Sequence, residues 1–326
     1  MKTELLQRVE ISIRSIISID KKPHILLGLS GGPDSVFLFH NLLKMHDADL
    51  IDLSAAHLNH EWRPEAEDDE RFCKKLASKY NVPLIIERAS NIPEHNKSNG
   101  SLEDLGRRMR QHFFEETKNA LRCDYVALAH HADDQLETFF IRLARGTTLK
   151  GLCCIQPRNG FYIRPMLSLS KYEILEFLET NRISYCIDKT NEGTSHLRGR
   201  IRNKLIPLLE NIDARLPSKI LDTVEHLHAE CVLLQQVVEE TTKTIFPHGI
   251  ENSGDLAEFK ALDGAMQKRI LISVIENSHA KINPSNALLL EILRFLNSPR
   301  GGNHTINSSL SVSKHGKVFS INTKAF

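Results

Sequence analysis

The sequence predicts an α/β fold, a doubly wound and mostly parallel sheet, followed by a smaller helical domain with a terminal β-hairpin. The first observation is a series of short apolar or β-branched runs, each separated from the next by a helix-length segment: residues 24–29, 51–57, 82–87 and 124–128. Strands that alternate with helices at this spacing pair in parallel through crossover helices. The second observation is that strand-like runs fade after residue 217, where apolar residues begin to recur at helical intervals.

Length and composition limit the number of domains and the kind of partner. At about 150 residues per domain, 326 residues correspond to roughly two domains, for which we predict the bounds 1–217 and 218–326. Hydrophobic residues make up 41% and charged residues 25% of the chain, values typical of globular proteins. The net charge of +1, from 42 Lys and Arg against 41 Asp and Glu, excludes a histone-like positive surface, so if the chain binds nucleic acid it must do so at a local patch.

The elements outside the sheet follow from the spacing of apolar residues. A first amphipathic helix, ending before Lys21, is predicted from residues at helical intervals: Leu5, Val9, Ile13, Ile16 and Ile17. The second domain begins with a further helical pattern: Leu221, Val224, His228, Cys231, Leu234 and Val238. Near the end, Leu310 and Val312 alternate with serines, and a turn at Gly316 precedes residues 318–321, which predicts a closing hairpin.

The chain shows no membrane segment and no metal-binding cysteine spacing. No apolar run approaches the roughly 20 residues of a bilayer-spanning helix, and the charged start MKTE is unlike a signal peptide. We therefore expect a cytoplasmic protein without membrane contact, and no obligate protein partner is evident. The cysteines form no C-x-x-C pair, and we expect them to be reduced and mostly packed in the core: Cys73, Cys123, Cys153, Cys154, Cys186 and Cys231.

The loop after the first predicted strand has the most specific chemistry. Residues 30–35, SGGPDS, join that strand to an amphipathic helix. The two glycines remove side chains that would block a phosphate, and the helix directs free N–H groups and its positive dipole end to the same point. The proline suits a first helical turn because it lacks an N–H, and the serines add hydroxyl donors. The alternative is an ordinary strand-to-helix turn capped by Ser30 or Asp34.

This loop resembles the PP-loop of the N-type ATP pyrophosphatases, which split ATP between the α and β phosphates. The resemblance implies an adenine nucleotide α-hydrolase-like fold and a loop that holds the departing pyrophosphate. It also implies Mg²⁺ bound by carboxylates, with Asp34 and Asp134 as the candidate ligands. The residues that would bind ATP are those of the loop itself: Ser30, Gly31, Gly32, Pro33, Asp34 and Ser35.

Further segments resemble the tRNA(Ile)-lysidine synthetase family, in the order found in that family. Residues 59–65, NHEWRPE, resemble N-H-G-L-R-x-E, and residues 102–110, LEDLGRRMR, resemble L-E-x-x-A-R-x-x-R. Residues 129–138, AHHADDQLET, resemble A-H-H-x-D-D-x-x-E-T, and residues 188–207 resemble D-x-S/T-N and R-N-x-I-R…L-L-P. The resemblance implies ATP-dependent ligation of L-lysine to C2 of the wobble cytidine in the CAU anticodon of tRNA(Ile). An adenylated tRNA would be the intermediate, and AMP and pyrophosphate would be released.

Two of these segments supply the candidate catalytic residues. A helix over residues 101–121 has a predicted buried stripe of Leu102, Leu105, Met109 and Phe113. Its adjoining face carries Glu103, Arg107 and Arg110, for which a solvated Glu103–Arg107 ion pair is the alternative. With the resemblance, we expect Arg107 to contact the α-phosphate and Arg110 to contact substrate.

The other segment follows the fourth predicted strand, at the edge where ligands of α/β sheets bind. We assign a catalytic role to His130 and Asp134 rather than to His131 and Asp133, and a substrate role to Glu137. Asp134 and Glu137 could also form a helix capping box, with Asp at the N-cap and Glu at N3.

The tRNA is expected at a basic cluster late in the first domain, formed by Arg198, Arg200, Arg202 and Lys204. On a helix, Arg198 and Arg202 share one face while Ile201, Leu205 and Leu208 face the core. Phosphate contact and a solvated basic face are the two interpretations. The resemblance adds Asp188 and Asn191 as substrate residues, and the second domain offers a possible further surface at Lys260, Lys268 and Arg269.

Some positions depart from the family pattern. Gly193, Gly199 and Trp62 stand where Asp, Asn and Leu are usual, and the chain resembles the short form of the family.

The main alternative function is that of another PP-loop enzyme that forms AMP. A cluster-bearing tRNA thiolase would need C-x-x-C cysteines, and an ammonia-fed amidating ligase would need a glutaminase. A non-catalytic RNA-binding module would not need the intact loop and His-Asp segment.

Overall fold

The computed structural model describes residues 2–62, 64–93, 102–187, 197–277, 284–307 and 310–323. The chain divides into two compact units, Met1–Glu225 and His226–Phe326. This division falls within the long helix Leu216–Ile245, whereas the sequence pattern places a boundary where that helix begins. Among the described residues, no helix is both long and apolar enough to cross a membrane.

The first unit alternates strands and helices, as the sequence pattern predicts. Its strands are β1 (His24–Gly28), β2 (Asp52–Asn59), β3 (Leu84–Arg88), β4 (Tyr125–Ala127), β5 (Arg158–Asn159) and β6 (Tyr162–Ile163). The helices before β5 are α1 (Lys2–Ile16), α2 (Pro33–Asp47), α3 (Ala66–Lys79), α4 (Leu102–Leu121), α5 (Ala132–Arg145) and α6 (Leu149–Leu152). They are followed by α7 (Lys171–Thr180), α8 (Leu197–Arg200), α9 (Ile206–Ile212) and α10 (Leu216–Ile245).

The six strands form one sheet in the order β3-β2-β1-β4-β6-β5. Pairing is parallel except between β5 and β6, so the predicted fold class is confirmed. The strands β2 and β3 lie on one side of β1 and β4 lies on the other, which makes the gap between β1 and β4 a topological switch point. Ligands of open α/β sheets bind outside the carboxyl ends of the strands at such a point.

Both faces of the sheet are covered, which explains the continuous apolar run of β1. Ile25 and Leu27 pack with residues of α1 and α2, whereas Leu26, between them, packs with Met109 and Phe113 of α4. Successive side chains of a strand point to opposite faces, so both faces of β1 are buried. The predicted stripe of α4 is confirmed at these two residues, while the side chain of Leu102 lies outside the described residues.

The sequence pattern misplaced one core residue in the basic segment after α8. A π-helical turn, Ile201–Leu205, separates α8 from α9 and adds one residue to the turn. Ile201 and Ile206 are therefore both buried, while Leu208, predicted to face the core, is 55% exposed. The prediction for Leu208 was wrong because it assumed regular helical spacing through this segment.

The second unit combines helices with an antiparallel sheet. After α10 come β7 (Gly254–Asp255), α11 (Leu256–Ala261), α12 (Gly264–Glu276), α13 (Asn286–Asn297), β8 (Gly302–Thr305), β9 (Leu310–His315) and β10 (Val318–Thr323). The sheet order is β7-β10-β9-β8, so the predicted closing hairpin is confirmed as β9 and β10. Gly316 lies in its turn with φ of 60°, a conformation that favours glycine. The core contains Phe246 and Phe259, which both contact Phe319 of β10.

Lys314 of β9 is an unusual buried charge in this unit, because only 6% of it is exposed. Its Nζ donates to the carbonyl oxygens of Leu296, at 3.1 Å, and of Ser298, at the carboxyl end of α13. A cation at this end satisfies carbonyl groups that have no partner within the helix and complements the helix dipole.

Lys314→Met is expected to destabilise the hairpin locally, by about 1–3 kcal/mol, because it leaves these carbonyl oxygens without a donor. Hydrogen exchange of the β9 and β10 amides in the full chain measures the effect. Lys317→Met, at an exposed position in the same hairpin, is the matched control. Equal losses of protection in the two variants would contradict the role given to Lys314.

Candidate active site

The predicted phosphate loop connects β1 to α2 and is closed by the hydroxyl of Ser35. Ser35 Oγ donates to the carbonyl oxygen of Gly32 at 2.9 Å and accepts the backbone N–H of Ser30 at 3.2 Å. Gly31 has φ of 86°, which favours glycine, and an added Cβ there would lie 3.3 Å from Cys73 Sγ. Among the described residues, a Cβ on Gly32 would have only Ser30 Oγ within 4 Å, at 3.5 Å, so these residues leave room for a ligand on this side of the loop.

The start of α2 has the features of an anion site rather than of a capped turn. Gly32, which has no side chain that could cap the helix, is the N-cap residue, and Pro33 occupies the first turn. Neither Ser30 nor Asp34 is the N-cap residue, although Ser30 Oγ accepts the backbone N–H of Gly32 at 3.4 Å. The first N–H groups of the helix and its positive dipole end remain directed at the open side of the loop.

Asp34, in the first turn of α2, has cationic neighbours from two other elements. Lys171 Nζ donates to Asp34 Oδ1 at 2.6 Å, and His131 Nε2 lies 3.7 Å from Asp34 Oδ2. Lys171 was not predicted from the sequence. It is the first residue of α7. The capping box of Ser170 and Glu173 indicates in the sequence where this helix begins, but nothing local indicates that Lys171 pairs with Asp34.

His131 is the centre of a cluster of carboxylates. Its Nε2 lies 3.6 Å from Asp134 Oδ2, and its Nδ1 lies 3.4 Å from Asp133 Oδ2. Asp133 Oδ2 also accepts the backbone N–H of Lys171 at 2.8 Å, and its own pKa is lowered because these hydrogen bonds outweigh burial. The sequence analysis favoured His130 over His131 for the catalytic role. In the structure, however, His131 is the histidine that lies between Asp34 and Asp134.

The helix start at this cluster differs from the predicted capping box. α5 begins at Ala132, so His131 is its N-cap residue and Asp134 is at N3, where Oδ2 accepts the backbone N–H of His131 at 3.0 Å. The predicted capping box, with Asp134 at the N-cap and Glu137 at N3, was therefore wrong, because the helix begins about one turn earlier. Glu137 lies deeper in the helix and is fully buried.

The two adjacent histidines have opposite electrostatic environments. Removal from water lowers the pKa of His130 to about 4, with Asp134 opposing the shift and Arg164, Arg198 and Arg110 adding to it. Burial also lowers the pKa of His131, but the carboxylates around it outweigh burial, so its pKa is raised. At neutral pH, His130 is therefore uncharged. Its buried Nδ1 has no hydrogen-bond partner among the described residues.

Cationic side chains border the site on the other side of His130. Arg107 and Arg110 are exposed on α4, and Arg110 Nε donates to the carbonyl oxygen of Gly106 at 3.3 Å. Arg164 directly follows β6 at the carboxyl edge of the sheet. Burial lowers the pKa of Arg164, and the nearby charge of Arg107 lowers it further. Two guanidinium groups this close together favour an anion between them.

Arg164 was missed in the sequence because β6 comprises only two residues, too few to show a strand period. Without that strand, nothing in the sequence brings residue 164 to the sheet edge. Once β6 is known, its position directly after a parallel strand would have identified it.

The basic cluster is joined to the site by Glu137. Arg198 Nε donates to Glu137 Oε2 at 2.7 Å, and Arg202 Nε donates to Glu137 Oε1 at 2.5 Å. Arg198 Nη2 also lies 4.0 Å from Asp134 Oδ1. Arg200 is exposed. Two of the three arginines of the cluster predicted to contact tRNA are therefore partners of a buried carboxylate, which holds their guanidinium groups beside Asp134.

The carboxylates at this edge fit a nucleotide-bound Mg²⁺. Asp34 and Asp134 both direct an oxygen toward His131, but no group of three or more His, Cys, Asp or Glu side chains in the described part of the chain is arranged to hold a metal ion alone. Mg²⁺ commonly uses one or two carboxylates and takes its remaining ligands from phosphates and water. Asp188, Asn191 and Gly193 lie outside the described residues, as does the side chain of Glu103.

The two histidines are expected to titrate on opposite sides of pH 6.5 in magnesium-free protein. The folding stability contributed by His131 is complete below its unfolded pKa and is lost as pH rises through its raised folded pKa. That contributed by the depressed pKa of His130 is complete above 6.5 and is lost as pH falls toward about 4. NMR titration of the imidazole protons measures both, with Asp134→Asn expected to lower the pKa of His131. Coincident titrations near 6.5 would contradict the geometry.

Comparison with known proteins places this site in a family. A family model described as a PP-loop domain matches residues 5–209. A tRNA(Ile)-lysidine synthase of Geobacter sulfurreducens is 39% identical over 224 residues, which cover 67% of this chain and 47% of that protein. That of Thermotoga maritima is 31% identical over 242 residues, which cover 74% of this chain and 57% of that protein. The chain thus spans about half the length of the curated relatives it matches.

Among solved structures, the U34-tRNA thiolase NcsA from Methanococcus maripaludis with its 4Fe–4S cluster has a TM-score of 0.57 and 18% identity. The alignment covers 69% of this chain and 78% of that one, and at this identity it shows a common fold. Because the PP-loop model matches more than half of the sequence, and because the phosphate loop has the geometry described above, this chain belongs to the PP-loop family.

Proposed function

We propose that this chain is an AMP-forming ligase that joins L-lysine to C2 of the wobble cytidine in the CAU anticodon of tRNA(Ile). The observation that supports it most is the meeting of the phosphate loop with Asp34, His131 and Asp134 at one edge of the sheet. This arrangement suits the release of pyrophosphate from ATP beside a nucleophile. The choice of tRNA and amino acid rests on relatives named tRNA(Ile)-lysidine synthase.

The first proposed step is adenylation of the cytidine. The carbonyl oxygen at C2 attacks the α-phosphate of ATP, the bond from the α-phosphorus to the bridging oxygen breaks, and pyrophosphate leaves into the loop. The N–H groups at the start of α2 and the Lys171 cation offset charge on the leaving group. Arg107 and Arg164, whose positive charges are near each other, would offset charge on the α-phosphate. Mg²⁺ held by Asp34 and Asp134 would neutralise further phosphate charge.

The second proposed step replaces AMP by lysine. The uncharged ε-amine attacks C2, the bond from C2 to the AMP oxygen breaks, and the amine must lose a proton. His130 is uncharged at neutral pH, and its Nδ1 has no partner in the described part of the chain, so it can accept a hydrogen bond or proton there. Arg198 and Arg202, fixed by Glu137, would hold anticodon phosphates next to this point.

Sulfur transfer is the main alternative function, but the cysteines near the loop support it less well than the other site residues support adenylation. Cys73 and Cys186 both pack against Gly31, since a Cβ added to this glycine would lie 3.3 Å from Cys73 Sγ and 3.5 Å from Cys186 Sγ. A reactive cysteine is a thiolate. Burial, with a further contribution from Cys186, raises the pKa of the Cys73 thiol far above its ordinary value and keeps it protonated. Cys73 is therefore a packing residue under the loop.

ATP consumption by the purified chain tests the proposal. Repeated turnover, which releases AMP and pyrophosphate, is expected only when CAU-anticodon tRNA(Ile) and L-lysine are both present. Omission of lysine should leave a single equivalent of pyrophosphate, because adenylation precedes attack by the amine. AMP formation driven by a free nucleotide with ammonia, or by a sulfur donor, would instead establish one of the other PP-loop activities.

Asp34→Asn and Arg107→Ala are expected to lower single-turnover AMP formation by about 100-fold or more while tRNA binding stays within about twofold. Both residues act on the phosphates of ATP in the proposed mechanism and carry little of the RNA contact. Arg71→Ala, at an exposed position on α3, is the control for loss of a surface arginine. Parallel loss of adenylation and tRNA binding would contradict this division of roles.

A further inference from the structure

Trp62, the only tryptophan of the chain, lies in the segment that follows β2. This segment leaves the sheet at the same carboxyl edge as the phosphate loop. The indole is 47% exposed, which is unusual for the largest apolar side chain. Neither the adenylation step nor the lysine step described above uses it.

The indole is held in one orientation by two neighbours. The His60 ring stacks on it, with ring centroids 4.6 Å apart and an interplanar angle of 28°. The edge of the six-membered ring lies against α4, where an added Cβ on Gly106 would be 2.6 Å from Trp62 Cη2. Gly106 stands where the pattern quoted above has Ala, and Trp62 stands where it has Leu. The two departures are therefore one complementary change, because the larger ring occupies the space of the missing methyl group.

The backbone that carries the indole is fixed as well. Glu61 has φ of 57°, and its N–H donates to Asn59 Oδ1 at 2.9 Å. Its carboxylate Oε2 accepts the backbone N–H of Ser90 at 2.7 Å, next to β3. Asn59 Nδ2 in turn donates to the buried carboxylate of Glu70 at 2.9 Å. Contacts from β2, β3 and α3 thus hold the segment, and an aromatic ring that is already ordered loses little entropy when a ligand stacks on it.

The charges around the indole are positive on the side toward the active site. Gly106 lies between Trp62 and the exposed arginines of α4, Arg107 and Arg110. Arg110 is close enough to lower the pKa of His60, after the larger effect of burial, and that of His130. The Arg110 guanidinium group is therefore near both the aromatic stack and His130, and its Nε donates to the carbonyl oxygen of Gly106, the residue against which the indole packs. An exposed aromatic face beside arginines is the pattern with which proteins bind unpaired nucleotides, by stacking on the base and pairing with its phosphate.

We propose that the outer face of Trp62 stacks on an unpaired base of the RNA substrate, adjacent to the cytidine that reacts. This inference rests on the proposed function for the presence of RNA at the site. His60 covers one face of the indole and the base covers the other, so the three rings form one stack. The complementary Gly106 allows the indole to lie low enough on α4 for Arg110 to reach the phosphate of the same nucleotide, while Arg107 is left to the α-phosphate of ATP.

Because the chain has a single tryptophan, its fluorescence reports on this ring alone. The probes are a CAU anticodon hairpin with a 5′ fluorescein label, the same hairpin with abasic positions on both sides of the wobble cytidine, and a non-hydrolysable ATP analogue. The intact hairpin is expected to quench the indole emission. The abasic hairpin should bind more weakly and quench little, and the ATP analogue should leave the emission almost unchanged.

Variants separate stacking from packing. Trp62→Leu is expected to weaken hairpin binding about ten- to a hundredfold without changing its salt dependence, because no phosphate contact is removed. Trp62→Phe should retain most of the affinity. The double variant Trp62→Leu with Gly106→Ala refills the gap on α4, and it should have a restored melting temperature but the weak binding of Trp62→Leu.

Three results would overturn the inference: unchanged emission with the intact hairpin, quenching by the ATP analogue alone, or full recovery of affinity in the double variant. Measurement of lysine-dependent AMP formation by the wild-type chain distinguishes failure of the inference from failure of the function. Active enzyme with silent fluorescence rejects only the role of Trp62, whereas absence of both hairpin binding and AMP formation rejects the two together.

Discussion

The parallel pairing of β1 with β4 determines the position of almost every functional group in this chain. It places Leu26 opposite Val126, so the two strands end at the same edge and the helices that follow them begin side by side. Asp34 in the first turn of α2 and Asp134 in the first turn of α5 therefore face the same space. Two helix N-termini are strongly attractive to anions. The acidic residues there are compatible with a phosphate ligand because Lys171 supplies a cation beside them and because the raised pKa of His131 favours its protonated form.

Glu137 extends this arrangement to the basic segment that follows residue 196. A fully buried carboxylate must be paired, and here its partners are Arg198 of α8 and Arg202 within the π-helical turn. The extra residue of that turn keeps Ile201 and Ile206 in the core while both guanidinium groups point to α5. The electrostatic requirement of one buried residue thus positions two guanidinium groups, and the groups proposed for catalysis and for RNA binding share a single ionic network.

Sequence patterns predicted the parts of this structure that depend on local order. The first four strands, the glycine loop, the stripe of α4 and the closing hairpin each have a sequence signal within one short stretch of the chain. Features that depend on distant residues were missed or misplaced. β6 is too short to show alternation, so Arg164 was not recognised, and the π turn shifted Leu208 to the surface. The pairing of Arg198 and Arg202 could not be anticipated, since no spacing rule indicates that Glu137 lies beneath them.

The ion pair of Asp34 with Lys171 joins residues 137 positions apart, and that of Arg8 with Glu173 joins residues 165 apart. Contacts of such long range form slowly because a large loop must close first. During synthesis, the glycine loop leaves the ribosome well before α7 exists. The nascent chain therefore carries Asp34 without its lysine, and assembly of the nucleotide site is among the last events in folding of this unit.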